Sequence, residues 1–209
     1  MGQSNLTARS VKAVNQDEPV AAPLSNHWAV EYHFNSDAFS VRPLPDYLTH
    51  AQKAARDGTL FDSVILALHP TRQDARVECT AWQAKRDARP LTVQERLADL
   101  QFCQSDLSGH ELESRGRTVH VEFWALEYHF FRDDFFLRPF PDYLRLAQAN
   151  WEKRQLFGSV IVAIRQTELD ASEEGKSWQA IRDKRKVSVE DRKMKVQPYI
   201  DGLESLCGE

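Results

Sequence analysis

The amino-acid sequence predicts an α+β protein formed by tandem duplication of a ββαβαα unit, with the two units packed as an internal pseudodimer. Three observations lead there. The stretch WAVEYHFNSDAFSVRPLPDYL from Trp28 recurs from Trp124 as WALEYHFFRDDFFLRPFPDYL, and the copies stay in register without a gap at an offset of 124 − 28 = 96 residues. Inside each copy the apolar period changes from two to helical and back, which marks separate strands and helices. Finally, the chain has 209 residues, and a unit of repeat size buries only roughly 60 to 65% of the surface its unfolded chain exposes, so two such units gain by packing on one another. The expected organisation is a flexible tail (1–26), repeat unit 1 (27–107), a linker (108–118) and repeat unit 2 (119–209).

Trp28, Val30, Tyr32 and Phe34 alternate with Ala29, Glu31 and His33, the pattern of a strand with one apolar face. Asn35 to Asp37 make a turn, and Phe39 and Val41 resume the alternation, so the segment reads as a β-hairpin. The matching residues are Trp124, Leu126, Tyr128 and Phe130, then Phe135 and Leu137. Val119, Val121 and Phe123 also alternate, which allows an earlier start for that strand.

Pro43 and Pro45 end the hairpin, and Tyr47, Leu48, Ala51, Ala54 and Ala55 share a helical stripe. Proline suits a first helical turn, where its missing N–H would be unpaired anyway. Gly58 stops this helix; Arg154 stands in its place in the second copy, which predicts a different exit. The branched run Leu60 to Leu68, with its match Leu156 to Ile164, reads as a central strand buried on both faces. Asp74 and Asp170 are candidate caps for a following helix, although Val77, Cys79 and Ala81 also alternate as in a strand. The helix is preferred because the second copy does not alternate. Thr92 with Glu95, and Ser188 with Asp191, mark the start of a last helix, and Pro198 predicts a kink in the second one.

A formal net charge of −4 gives no overall basic field for nucleic acid or membrane. Cys79, Cys103 and Cys207 are odd in number and unmatched between copies, which argues against a disulfide framework and fits a reducing compartment. The N-terminus has no apolar signal core and no apolar run is long enough to span a bilayer, so the expected location is the cytoplasm. Phosphate-binding glycine loops and the GxSxG, HExxH and CxxC motifs are absent.

Function therefore rests on the polar residues kept in both copies. Glu31 and His33, and Glu127 and His129, lie two apart on a strand and share a face. Such a pair can tune a general base or supply two metal ligands; alternatively the histidine hydrogen-bonds to the glutamate and does nothing else. Arg42 and Arg138 precede a Pro-x-Pro corner, where an ion pair with Asp46 or Asp142 would fix the corner, or the arginine would meet an anionic ligand beside a helix start. The expectation is a binding or regulatory protein without catalysis and without a cofactor. It would recognise a protein partner, a second copy of itself or an anionic ligand through Arg42, Arg138, Glu31, His33, Glu127 and His129. One alternative is an enzyme or metal-binding protein using the Glu-x-His pairs. The other is nucleic-acid binding through 182–195, where Arg182, Lys184, Arg185, Lys186, Arg192, Lys193 and Lys195 outnumber the acids.

Overall fold

The computed structural model describes residues 24–105, 122–185 and 187–207; most of the expected tail and the whole expected linker lie outside them. Two similar α+β units follow one another. The first runs β1 (Trp28–His33), β2 (Ala38–Pro43), α1 (Leu44–Asp57), β3 (Ser63–His69), α2 (Arg72–Ala88) and α3 (Val93–Ser105). The second runs β4 (Trp124–His129), β5 (Asp134–Pro139), α4 (Phe140–Glu152), β6 (Ser159–Arg165), α5 (Glu168–Arg185) and α6 (Val189–Cys207). The order ββαβαα holds in both, and 72–88 is helical.

Each sheet has three antiparallel strands, in the orders β2-β1-β3 and β5-β4-β6. The branched run is thus an edge strand rather than the central one. Its apolar character has another cause: the outer edge is covered by the other unit. Gln148 on α4 donates its Nε2 to the Leu66 carbonyl at 2.7 Å, and Gln52 on α1 donates to the Val162 carbonyl at 2.8 Å. These two contacts are reciprocal, and so are those of α1 with β6 and α4 with β3. Antiparallel α3 and α6 close the seam, with Gln104 donating to the Lys193 carbonyl at 3.0 Å and to Gln197 at 3.1 Å. One apolar core runs through both units.

Thr71 and Thr167, rather than the aspartates three residues on, cap α2 and α5: each hydroxyl accepts the Asp74 or Asp170 N–H at 3.1 Å. The aspartate sits at the third helical position, where its charge suits the helix dipole. Thr92 with Glu95 and Ser188 with Asp191 form reciprocal capping boxes. Helix α6 continues through Pro198. The two hairpin-following helices leave alike, contrary to the sequence expectation, because Arg154 takes the same left-handed conformation as Gly58, with φ 61° against 58°. Val119 and Val121 lie outside the described residues, and β4 begins at Trp124, matching β1.

Candidate functional site

The middle strand of each sheet presents a buried glutamate between two partners on the flanking strands. In unit 1 the register sets Ala29 opposite Arg42 and His33 opposite Ser63, so Arg42 and Ser63 both lie diagonally across from Glu31 on one face. The Ser63 hydroxyl donates to Glu31 Oε2 at 2.5 Å, and Arg42 Nε stands 3.0 Å from Oε1. Unit 2 repeats the arrangement. Ser159 donates to Glu127 Oε2 at 2.7 Å and Arg138 Nε donates to Oε1 at 2.6 Å. The corner arginines are therefore paired with the strand glutamates and not with Asp46 or Asp142. A diagonal neighbour on the same sheet face lies within reach of a long side chain, whereas four residues along the chain the backbone is already turning into α1.

Both carboxyls are fully buried, and burial raises them above the ordinary carboxylate range against the pull of the serine hydroxyl and the arginine. Tyr47 and Tyr143 lie beside them at the seam, each donating to the carbonyl of Ser63 or Ser159, at 3.3 and 3.4 Å. Burial raises both phenols strongly.

The imidazoles do not follow one pattern. His33 shares a 2.8 Å hydrogen bond with the Ser40 hydroxyl and stands 4.0 Å from Glu31. His129 turns to the loop instead, where its Nδ1 accepts the Arg132 N–H at 3.3 Å, and burial together with Arg132 pushes its pKa down to about 4. It is neutral at physiological pH. The feature that repeats is thus Glu–Arg–Ser rather than Glu-x-His. Ser63 and Ser159 are identical in both copies and escaped the sequence reading; counting hairpin register from the turn would have placed Arg42 on the Glu31 face.

Other shared polar residues tie the hairpin turn to the helices. Asp37 and Asp133 adopt positive φ and accept from the Tyr32 and Tyr128 hydroxyls at 2.9 and 2.8 Å. Arg86 and Arg182 donate to the carbonyls of those aspartates, and Arg96 and Arg192 donate to the carbonyls of Asn35 and Phe131. The basic stretch 182–195 is engaged in the same way. Arg182 pairs with Asp134, Arg185 with Asp133, Arg192 holds the turn and Lys195 donates to the Asp57 carbonyl. Lys193 pairs along its helix with Glu190, Lys184 is exposed, and Lys186 is outside the described residues.

Only two of the six expected recognition residues reach the surface. The side chain of Arg42 is 28% exposed and that of His33 21%, whereas Arg138 is 7% exposed and both glutamates 0%. Arg42 Nε is ion-paired with Glu31 Oε1 without the hydrogen bond that Arg138 makes, so that oxygen is left without a hydrogen-bond partner, and the terminal nitrogens of Arg42 make no hydrogen bond among the described residues. In unit 2 one terminal nitrogen of Arg138 is instead buried without a partner. Among the described residues no group of three or more His, Cys, Asp or Glu side chains is placed to hold a metal, and no helix is long and apolar enough to cross a membrane. Comparison with protein-family models, with curated proteins and with solved structures found no match.

Proposed function

We propose that this chain arose by duplication of a ββαβαα unit, is packed as an internal pseudodimer, and acts as a non-catalytic binding protein that recognises an acidic group of a protein partner. One observation carries this reading. Of two matched Glu–Arg–Ser clusters, that of unit 1 alone offers its guanidinium to solvent, beside His33 and anchored from behind by the buried Glu31. An arginine drawn to a buried carboxylate through Nε leaves its outer N–H groups available to a carboxylate or phosphate. The buried carboxylates meet a serine hydroxyl and an arginine, and the phenols donate to the Ser63 and Ser159 carbonyls, a structural use of groups that could otherwise do acid–base work.

The test is native mass spectrometry of the chain purified gently from its own cells, as wild type and as Arg42→Gln. Glutamine keeps a donor for Glu31. A bound protein that is lost in the variant, with the melting transition still cooperative, supports the proposal. A complex indifferent to R42Q, or a stoichiometric metal or metabolite in place of a protein, overturns it.

A further inference from the structure

The two outer sheet edges are treated differently, and the difference points to a partner. Leu44 N–H donates to the His27 carbonyl and Phe34 N–H to the Asp62 carbonyl, both just outside the strands. Alternation along an antiparallel ladder then directs the backbone of Ala38, Ser40 and Arg42 toward β1, and that of Phe39 and Val41 outward. The same count in unit 2 directs Phe135 and Leu137 outward. There the edge is guarded: Asp134 accepts its neighbour's Phe135 N–H at 2.9 Å and draws Arg182 and Gln179 over the start of the strand. In unit 1 the matching residue is Ala38. Phe39 and Val41 have no backbone partner on their outer side among the described residues, and β2 carries no charge before Arg42, which Glu31 holds. The β3 and β6 edges are sealed by Gln148 and Gln52. Proteins normally blunt an edge with charge, proline or cover, since unpaired N–H and C=O groups in strand spacing fit another strand.

We propose that the outer edge of β2 pairs with β2 of a second copy of this chain. An antiparallel pairing centred on Ser40 sets Phe39 against Val41 of the other copy and Val41 against its Phe39. In that register both outward N–H and both outward C=O groups of each copy are satisfied, in four hydrogen bonds. Pro43, which has no N–H, ends the ladder. The strand is self-complementary in this register, with branched and aromatic residues facing each other on one side and Ser40 facing its twin on the other. The only like charges within the paired strands, the two copies of Arg42, fall four residues apart, about 14 Å along the strand. The dimer is a continuous six-stranded sheet with both exposed Arg42 side chains on one face. It does not depend on the proposed recognition of acidic groups, and failure of either leaves the other standing.

The experiment is light scattering and native mass spectrometry of the full chain over a dilution series, for wild type, Ala38→Asp and Val41→Pro. A38D transplants the guard that unit 2 already uses. V41P removes an outward N–H at an edge position where proline is tolerated. The expected result is a dimer that dissociates on dilution in the wild type and a monomer with unaltered circular dichroism in A38D. Amide exchange of Phe39 and Val41 in the wild type, slow in the dimer and fast after dilution, decides the matter even if V41P misfolds. A wild type that is monomeric at every concentration, or a dimer that survives A38D with those two amides still exchanging fast, overturns the inference.

Discussion

The two units use the same polar skeleton but complete their sides of the seam with different chemistry. In unit 1 the ring cluster Tyr32, Phe39 and Trp82 receives a knob from unit 2: Trp151, edge-on to Trp82 at 4.8 Å and to Phe39 at 5.6 Å. The matched residue in α1 is Ala55. With no knob to receive, Tyr128, Phe135 and Trp178 are covered by guanidinium groups, Arg56 at 5.2 Å from the Trp178 ring and Arg185 at 5.6 Å from Tyr128. Arg185 has room because Gly58 carries no side chain; a Cβ there would stand 2.8 Å from its Cζ. From that place it pairs with Asp133 and donates to the Ala55 carbonyl at the end of α1. On the other side Arg154 occupies the glycine's position, lies 4.4 Å over Trp151 and donates to the Arg89 carbonyl at 2.5 Å. The Asp37 carboxylate, which has no counterpart of Arg185 to pair with, accepts the Leu91 N–H instead, at 2.9 Å. The lesson is that a twofold-like seam constrains volume and hydrogen bonding and leaves the residue types free.

The sharpest way to break this asymmetry is Trp151→Ala, which makes the unit 2 helix resemble α1. Removing a buried tryptophan without a replacement costs about 3 to 5 kcal/mol. Because the void opens among unit 1 rings, a fluorescence-monitored urea titration should show both units unfolding together at a lower midpoint. Two separate transitions, with unit 1 unaffected, would contradict the account of the seam.

Next come the matched glutamates. Glu127→Gln strands Arg138 in a site that is 7% exposed, and breaking a buried pair in this way costs roughly 3 to 5 kcal/mol. Glu31→Gln should cost clearly less, because Arg42 can turn its charge to water. Equal losses in paired denaturation curves would mean that burial of the arginine does not govern the difference.

His129 supplies a pH test. Its folded pKa of about 4 lies below its ordinary 6.5. Above about 6.5 both folded and unfolded chains carry a neutral ring. As pH falls from 6.5 toward 4 only the unfolded chain takes up the proton readily, so stability drops, by up to about 3 kcal/mol, and the loss levels off below 4. Subtracting the stability curve of His129→Asn from that of the wild type should isolate this slope. A flat difference between pH 6.5 and 4 would show that the ring is not excluded from water.

The smallest effect belongs to the left-handed position. Gly58→Ala should cost about 1 to 2 kcal/mol from the conformation alone, with more if Arg185 cannot give way. Arg154→Gly should fall within about 1 kcal/mol of wild type, since relief of the backbone offsets the lost contact with Trp151. Thermal melts of the two variants side by side would decide this.

Much of the fold could be read from the repeat. The element order, the hairpin and the capping boxes of the last helices follow from local pattern, and seeing each pattern twice favours the helix over the strand at Val77 to Ala81 without deciding between them. What failed were inferences about neighbours. Closeness in sequence points Arg42 to Asp46, and apolar character points the Leu60 to Leu68 run to the middle of the sheet, whereas the fold pairs Arg42 with Glu31 and puts the run at an edge. The candidate site was found only in part: Glu31, Arg42, Glu127 and Arg138 do come together, but Ser63 and Ser159 were overlooked and His129 points elsewhere.

The sequence by itself determined the order and type of the strands and helices and which residue types both units retain, because alternation, turn residues and caps act over a few residues of contiguous chain. Tertiary structure alone decided that β3 and β6 are edges sealed by the opposite unit, that Arg42 is exposed while Arg138 is buried, and that β2 keeps an open edge. These outcomes depend on which surfaces meet across a separation of about a hundred residues. A side chain's solvent, dielectric and partners are set by that meeting, and the same Glu–Arg–Ser pattern can then become a sealed strut in one unit and an anchored surface cation in the other.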